Sequence, residues 1–281
     1  MANTAKNNNS KVWAEKMSKE WSAFIPPERP SFEEMAIYED YLKKVIEKRG
    51  KNIKALILGA TPELRDLLAK YKIKTICADI NPDMVEAMNR LLEVSDGKEK
   101  IVITNWEKIT LKDKQFDIIL GDHFIHWIPF KNWDDFFRDK KRLLKDGGYI
   151  IANVVTVEKN EAITIEKMIE IFKAKKFFSR EEKFYYVYLA LFGLVNKSKG
   201  YVELLDNFNK KIGQFRKKGK ITSKEQDILS CPWVGGLSPV MAPKEEVDAV
   251  FNKHFILKSI RYSPLNPSVS CHKIYFMQKN G

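Results

Sequence analysis

From residue 53 onward the chain alternates between short apolar runs and amphipathic stretches, and this alternation limits its possible folds more than any other feature. Strands that are apolar throughout and are followed by helices are typical of a parallel sheet covered by helices on both faces. Two further runs near the C-terminus are joined by a short link, which predicts an antiparallel pair. The sequence therefore predicts an α/β fold with the candidate strands KALILGA, KTICADI, KIVITN, FDIILGD, GGYIIANVV, FILKSIRY and SCHKIYFMQ.

Two helices are predicted before the first strand. The first should cover residues 11–24, because apolar side chains recur there at helical spacing. The second should begin at Ser31, which with Glu34 has the spacing of a capping box, and should end near Gly50. Two interpretations remain open: the helices pack against the sheet edge, or they form a flap that closes over a ligand.

The distal part of the chain suggests an insertion into the α/β domain. Residues 157–229 have a helical pattern rich in aromatic residues, and a loop containing Trp233, Gly235 and Gly236 follows them. The sequence therefore predicts a helical extension, a split central domain and a helical insertion. Their expected bounds are 1–52 for the extension, 53–156 plus 230–281 for the central domain, and 157–229 for the insertion.

The turn after the first strand indicates what kind of nucleotide the central domain binds. Gly59 is followed by Thr61 and Leu64, where dinucleotide-binding turns have glycines that let the backbone approach a pyrophosphate. NAD and FAD are therefore disfavoured, and no P-loop pattern is present. Asp79, at the end of the second strand, can accept hydrogen bonds from both hydroxyls of a ribose. A capping role is the alternative, but Asn81 is better placed to cap the next helix.

Taken in order, these segments resemble the class I S-adenosylmethionine-dependent methyltransferases, in particular the branch whose first motif reads LG-x-TPE. The resemblance covers about residues 53–155, and the helix at 243–253 and the closing strand pair match the end of that fold. It implies a Rossmann-like seven-stranded sheet, mostly parallel, with one antiparallel strand near the edge. It rests on LGATPELRDL, ADINPDMVEAM, NWEKI, FDIILGD and LLKDGGYIIA.

The resemblance also implies a cofactor, S-adenosylmethionine, with S-adenosylhomocysteine as product. The implied cofactor-binding positions are Gly59, Ala60 and Thr61 beside the methionine moiety, Asp79 on the ribose hydroxyls, Ile80 against the adenine, Asn105 and Trp106 on the adenine side, and Asp122 facing the methionine amino group or the acceptor. The family often has an aspartate where this chain has Asn105, whose amide can both donate to and accept from adenine. Trp106 is open to a second interpretation, as a core residue.

Candidate catalytic residues follow the fourth strand. Asp122, His123 and His126 stand beside the expected methyl donor, and histidine titrates where a general base is useful. The alternative for either histidine is a hydrogen bond within the loop, and His254 and His272 are interpreted as structural. Too few acidic residues converge to predict a metal, and no [DNS]-P-P-[YFW] motif of DNA amino-methyltransferases follows the strand.

The charge and the termini bear on partners and location. The net charge is +12, most basic residues are lysines, and the excess lies in the distal half, including the basic run 209–220. That run either contacts an RNA backbone or is a solvated helix end. The polar N-terminus and three scattered cysteines favour a cytoplasmic protein without membrane attachment. The first hypothesis is methylation of a small molecule. The others are an RNA or protein methyltransferase and a non-catalytic cofactor-binding scaffold.

Overall fold

The structure is a computed structural model that describes residues 14–24, 29–94, 97–175, 180–194, 201–230, 240, 242–262 and 271–281. The predicted loop around Trp233, Gly235 and Gly236 and the first part of the predicted helix 11–24 lie outside the described residues. Within them, no helix is both long enough and apolar enough to cross a membrane.

The described chain contains helices and strands in the alternation that the sequence predicts. The helices are α1 (14–20), α2 (Phe32–Arg49), α3 (Pro62–Lys70), α4 (Pro82–Asn89), α5 (Trp133–Leu143), α6 (Ile165–Lys175), α7 (Arg180–Leu194), α8 (Tyr201–Lys217), α9 (Ser223–Leu229) and α10 (Lys244–His254). The strands are β1 (Lys54–Leu58), β2 (Lys74–Asp79), β3 (Glu99–Ile103), β4 (Phe116–Asp122), β5 (Leu144–Val155), β6 (Phe255–Arg261) and β7 (His272–Lys279).

All seven strands form one sheet in the order β3-β2-β1-β4-β5-β7-β6. Strands β1 to β5 pair in parallel, whereas β7 is antiparallel to both β5 and β6. This arrangement confirms the predicted Rossmann-like sheet, including the antiparallel closing pair. Because β7 is antiparallel to its neighbours, its first residue lies at the same edge as the carboxyl ends of β4 and β5.

Helices cover both faces of the sheet. Helices α2 and α3 pack on the face presented by alternate residues such as Ile57 and Leu120. Helices α5 and α10 pack on the opposite face, around Phe137 and Phe251. Alternate strand residues enter opposite cores because side-chain direction reverses at every residue of a strand. The N-terminal helix α2 therefore belongs to one covering layer rather than to the sheet edge.

Helix α2 begins where its capping box predicts. The Ser31 hydroxyl accepts a hydrogen bond from the Glu34 amide, and the Glu34 carboxylate accepts one from the Ser31 amide. The helix ends at Arg49, one residue before Gly50, whose φ of 80° is readily available only to glycine. Local sequence chemistry thus defines both ends of this helix.

Helices α6 to α9 occupy the predicted insertion and have an apolar cluster of their own. Phe172, Leu191, Phe208 and Ile212 are buried in it, together with Cys271 from the segment that precedes β7. The exposed side chains of α8 carry much of the basic run 209–220. The run is therefore the polar face of an amphipathic helix whose other face is packed.

Candidate active site

The turn after β1 has the conformation that a single glycine allows. Gly59 has a φ of 105°, in the region that favours glycine, and its amide donates to the Ala78 carbonyl at 2.9 Å. Thr61 precedes α3 at its N-cap position, but its side chain makes no capping hydrogen bond. The turn therefore brings main-chain groups to the carboxyl edge of β1 and β2.

Asp79 is held rigidly beside this turn. One carboxylate oxygen accepts from the Ala60 amide at 3.1 Å, and the other accepts from the Asn81 amide at 2.8 Å. The Asn81 side chain caps α4 by accepting from Met84, as predicted, so Asp79 is not needed there. Burial raises the pKa of Asp79, while the main-chain donors oppose that rise. Each carboxylate oxygen keeps a further lone pair for a ligand.

The expected adenine side is partly apolar. Ile80 directly follows Asp79 and has a relative exposure of 61%, which is unusual for isoleucine. Asn105 accepts from the Glu107 amide through its side-chain oxygen, so its amide nitrogen is the group left to face a ligand. The Trp106 indole donates to the Ala78 carbonyl at 2.7 Å and lies over Gly59. Trp106 is half-buried against the core beside the turn. It therefore has features of both the adenine-side interpretation and the core interpretation.

The N-terminal segment is attached to the same turn through Glu63. One carboxylate oxygen of Glu63 accepts from the Trp21 indole at 2.9 Å and from Arg29 at 2.6 Å. The Trp21 ring packs against Ala60 and Cys77. The second oxygen of Glu63 is buried without a hydrogen-bond partner among the described residues. The segment therefore covers the turn, as the flap interpretation requires.

Five buried polar residues form a ring at the carboxyl edge of β4 and β5, and we call this group the polar ring: Glu34, Asp122, His123, Asn153 and His272. The Asn153 amide donates to Glu34 at 3.1 Å and to Asp122 at 3.0 Å. His272 Nδ1 lies 3.4 Å from a Glu34 oxygen, and His123 Nε2 lies 3.7 Å from an Asp122 oxygen. The two imidazoles meet edge to face, with centroids 5.2 Å apart.

The two carboxyl groups of the polar ring have opposite pKa shifts. Burial raises the pKa of Asp122 well above its usual range, and the nearby Glu34 charge raises it further. Burial also acts to raise the pKa of Glu34, but contacts with His272, Ser31 and Asn153 outweigh burial and lower it. Within the pair, Glu34 is therefore the group that favours the carboxylate form, and Asp122 is the group that favours the neutral acid.

The histidines predicted as catalytic differ in their surroundings. His126 Nδ1 donates to the Val240 carbonyl at 2.6 Å, and His126 Nε2 accepts from the Val155 amide at 2.9 Å. Both nitrogens are thus occupied by the main chain, which favours a role in holding the loop. His123 Nδ1, by contrast, is buried without a hydrogen-bond partner among the described residues. Catalytic roles for His123, His126 and Asp122 remain predictions.

Sequence reasoning did not place three members of the polar ring in the site. Glu34 was predicted only as a capping residue, Asn153 was not singled out, and His272 was interpreted as structural. The signal for His272 was available, because a closing strand that runs antiparallel to β5 must begin at the edge where β4 and β5 end. Across the residues that the structure describes, no group of histidine, cysteine and acidic side chains could hold a metal ion.

Comparison with known proteins identifies the domain. A family model described as a methyltransferase domain matches residues 58–152. The search of the curated proteins found no match.

Three solved structures share the fold. A Rhodobacter sphaeroides protein named as a Zn-dependent alcohol dehydrogenase has a TM-score of 0.58 at 16% identity. The match covers 96% of this chain and 99% of that protein. The N-methyltransferase NodS from Bradyrhizobium japonicum, solved with S-adenosylhomocysteine, has a TM-score of 0.55 at 9% identity. The match covers 97% of this chain and 100% of NodS. A Methanosarcina mazei S-adenosylmethionine-dependent methyltransferase has a TM-score of 0.51 at 15% identity. The match covers 86% of this chain and 96% of that protein. At these identities the likeness shows the fold alone.

Residues 58–152 form a methyltransferase domain of the class I type, for which S-adenosylmethionine is the methyl donor. The narrower LG-x-TPE branch stays a prediction. The chemistry of the turn fits this cofactor: Asp79 offers two oxygens to ribose hydroxyls, Ile80 offers an exposed apolar side chain to adenine, and Glu63 offers an unpaired carboxylate oxygen to an ammonium group.

The buried histidines predict how stability depends on pH. Burial lowers the pKa of His126 to about 4 and that of His123 well below its usual range, and His272 contributes to both shifts. As pH falls through 6.5, the unfolded chain binds protons that the folded chain does not, so folded-state stability falls. Each such proton corresponds to about 1.4 kcal/mol per pH unit. Urea unfolding from pH 7 to pH 5 should therefore show decreasing stability.

The matched variant for this prediction is His123→Asn. Asparagine tolerates the left-handed conformation of His123, whose φ is 51°, and it does not titrate. The raised pKa of Asp122 acts in the opposite direction, so the informative quantity is the difference between wild type and variant. The variant should lose less unfolding free energy on acidification than the wild type. The difference should be up to about 1.4 kcal/mol per pH unit, the contribution of one proton. Parallel curves for the two proteins would contradict the neutral, buried state of His123.

Proposed function

We propose that the chain transfers a methyl group from S-adenosylmethionine to a small-molecule acceptor bound over the carboxyl ends of β4, β5 and the start of β7. The observation that carries the proposal is the polar ring, which is buried beneath α2 and α7 next to the cofactor turn. Tyr188 of α7 lies with its ring centroid 6.1 Å from that of His272. We also propose that residues 157–229 form a cap over the acceptor, and that residues 1–52 extend the site from the other side.

Each residue at and around the turn after β1 has a defined task in this proposal. Bound S-adenosylmethionine supplies an electrophilic methyl group. Asp79 would hold the ribose hydroxyls, Ile80 and Trp106 would border the adenine, and Glu63 with Gly59 would border the methionine moiety. Trp21 and Arg29, through Glu63, would keep water away from this end of the site. Much of the catalysis would then be positioning, because displacement at carbon needs the acceptor in line with the breaking bond.

Burial of the polar ring favours a small acceptor over a polymer. All five members have little exposed surface, and several of their polar atoms lack hydrogen-bond partners among the described residues: His123 Nδ1, Asn153 Oδ1 and both ring nitrogens of His272. Unpaired buried polar groups are costly, so a site that contains them is suited to a ligand that pairs with them. A small polar molecule can reach such groups more readily than a folded macromolecule.

The second candidate is an RNA or protein methyltransferase that uses the basic run 209–220. Lys210, Lys211 and Lys217 are exposed on α8, so they are available to an anionic partner. The apolar residues of the same helix are packed inside the insertion, which is the arrangement of an ordinary amphipathic surface helix. The small-molecule proposal therefore takes precedence.

Incubation of the purified protein with methyl-labelled S-adenosylmethionine and fractionated extract of the source cells should place label in the low-molecular-weight fraction. The reason is that only a small acceptor can enter the buried site. The Asp79→Asn variant serves as the matched control for transfer that depends on the cofactor site. Label in RNA or protein instead would support the second candidate. Binding of S-adenosylhomocysteine without transfer to any fraction would support the scaffold hypothesis.

A further inference from the structure

We propose that His272 is the general base of the methyl transfer, positioned by Glu34, and that the acceptor atom is therefore an oxygen or nitrogen that carries a proton. This inference rests on the proposed function, because it assigns a role within the same site. It differs from the sequence-based hypothesis, which placed the base at His123 or His126.

The geometry of the polar ring orients the His272 imidazole. Nδ1 lies 3.4 Å from the Glu34 oxygen without forming a hydrogen bond, and the negative charge beside it favours the tautomer with the proton on Nδ1 and the lone pair on Nε2. Glu34 is itself held in place, since its oxygens accept from the Ser31 amide and the Asn153 amide. A carboxylate that fixes the tautomer of a histidine and stabilises its protonated form is the arrangement that a general base requires.

Nε2 of His272 is available for an acceptor. It is buried and has no hydrogen-bond partner among the described residues. The titratable groups that face this imidazole are Glu34 from α2, Tyr188 from α7, and His123 and His126 from the segment after β4. Glu34 is the acidic member of that set, so it is the group able to stabilise an added proton on His272.

The other histidines of the site are less suited to this role. Both nitrogens of His126 are occupied by main-chain groups. His123 faces Asp122, which burial and the Glu34 charge drive toward the neutral acid. A neutral carboxyl group stabilises an imidazolium far less than a carboxylate does. The charge therefore lies on the Glu34 side of the polar ring, with His272.

The chemical step balances with this assignment. The lone pair of the acceptor's heteroatom forms the new bond to the methyl carbon while the carbon–sulfur bond breaks and leaves its electron pair on sulfur. The acceptor's proton passes to Nε2 of His272, and Glu34 stabilises the resulting imidazolium. His272 then releases the proton to solvent. A thioether acceptor has no proton on its sulfur, and a carbon acceptor loses its proton only after the new bond has formed, so both lie outside the proposal.

Nuclear magnetic resonance of protein labelled with nitrogen-15 at histidine tests the dyad without any acceptor. The chain has four histidines, so single-site variants can assign the signals. With S-adenosylhomocysteine bound, His272 should show a protonated Nδ1 and an unprotonated Nε2. The Glu34→Gln variant should raise the fraction of His272 protonated at Nε2, because it removes the negative charge beside Nδ1. A His272 tautomer protonated at Nε2 would overturn the proposal.

Two variants separate loss of charge from loss of structure. Glutamine at position 34 can still complete the capping box through its side-chain oxygen, whereas Ser31→Ala removes the capping hydroxyl and leaves the Glu34 charge in place. Ser31→Ala should therefore lower thermal stability without changing the His272 tautomer. If both variants changed the tautomer equally, Glu34 would have only a structural role.

Kinetics and product analysis complete the test. His272→Asn should lower kcat with the label-accepting extract fraction about 100-fold or more, the size typical of a lost general base. Glu34→Gln should move the acidic limb of the pH–rate profile to lower pH. With carbon-13 methyl donor, the product's methyl shift should identify an O- or N-methyl group. A C- or S-methyl product would overturn this inference while leaving the proposed function intact, whereas no transfer at all would contradict the proposed function.

Discussion

Replacement of Asp79 by asparagine is expected to weaken binding of S-adenosylhomocysteine about 100-fold or more, because two hydrogen bonds to a charged group contribute roughly 1.5–3 kcal/mol each. An amide has one acceptor oxygen, and its NH₂ group would face the Ala60 or Asn81 amide donor that the carboxylate now satisfies. Isothermal titration calorimetry with S-adenosylhomocysteine measures the change directly.

The matched control is Asp83→Asn in the first turn of α4. It makes the same change of charge four residues further along the chain, and Asp83 lies outside the proposed ligand contacts. Its affinity should stay close to that of wild type. A further check is pH: because burial raises the pKa of Asp79, affinity should begin to fall at a higher pH than for an ordinary aspartate. Undiminished binding by a folded Asp79→Asn protein would remove Asp79 from the cofactor site.

The order of the fold was predictable because it depends on local patterns. The central residues of strands β1, β2, β4 and β5 are mostly apolar, which reflects their burial on both faces, and Asn81 with Pro82 defines the start of α4. The boundary of β5 was less predictable. This strand begins at Leu144 rather than Gly147, since Leu144 pairs with Phe116 before a register shift. The position where such a strand begins depends on its pairing with a strand that is distant in sequence, so a local sequence pattern does not predict it.

The residues of the proposed cofactor site were easier to bring together from the sequence than those of the proposed acceptor site. Asp79 and Asp122 end parallel strands, so the predicted topology alone brings them to one edge. Glu34 reaches that edge because α2 packs on the sheet face through Tyr38, whose hydroxyl donates to the Gly121 carbonyl at 2.9 Å. His272 reaches it because β7 reverses direction. Both placements depend on tertiary packing, which the single sequence does not display.

Helix α7 is the element whose position most affects the proposed cap, and Gly193 makes that position possible. A Cβ at Gly193 would overlap the Ile163 carbonyl oxygen and lie 3.1 Å from its carbon. Ile163 also donates its amide to the Leu189 carbonyl of α7 at 3.1 Å. The segment leading from β5 to α6 therefore lies directly against this helix. Since the contact is with main-chain atoms, rotation of a side chain cannot relieve it.

Gly193→Ala is consequently expected to destabilise the insertion by about 3 kcal/mol, at the upper end of the usual cost of overpacking. Movement of α7 would also carry Tyr188 away from His272. Hydrogen exchange followed by mass spectrometry should show faster exchange in α6 to α8, with protection of β1 and β4 retained. Methyl transfer to the small acceptor should fall in parallel, because the proposed cap no longer encloses the polar ring.

Gly213→Ala provides the matched control within the same insertion. Gly213 lies in α8, and a Cβ there would meet only the end of the Gln226 side chain at 3.9 Å, an ordinary contact distance. Alanine is a better helix former than glycine, so this variant should stabilise α8 by about 0.5–1 kcal/mol. Opposite effects of the same chemical change at two helical glycines would establish the tight packing at Gly193. If Gly193→Ala stabilised the chain as Gly213→Ala is expected to, α7 could not lie against Ile163, and the cap would have to be placed differently.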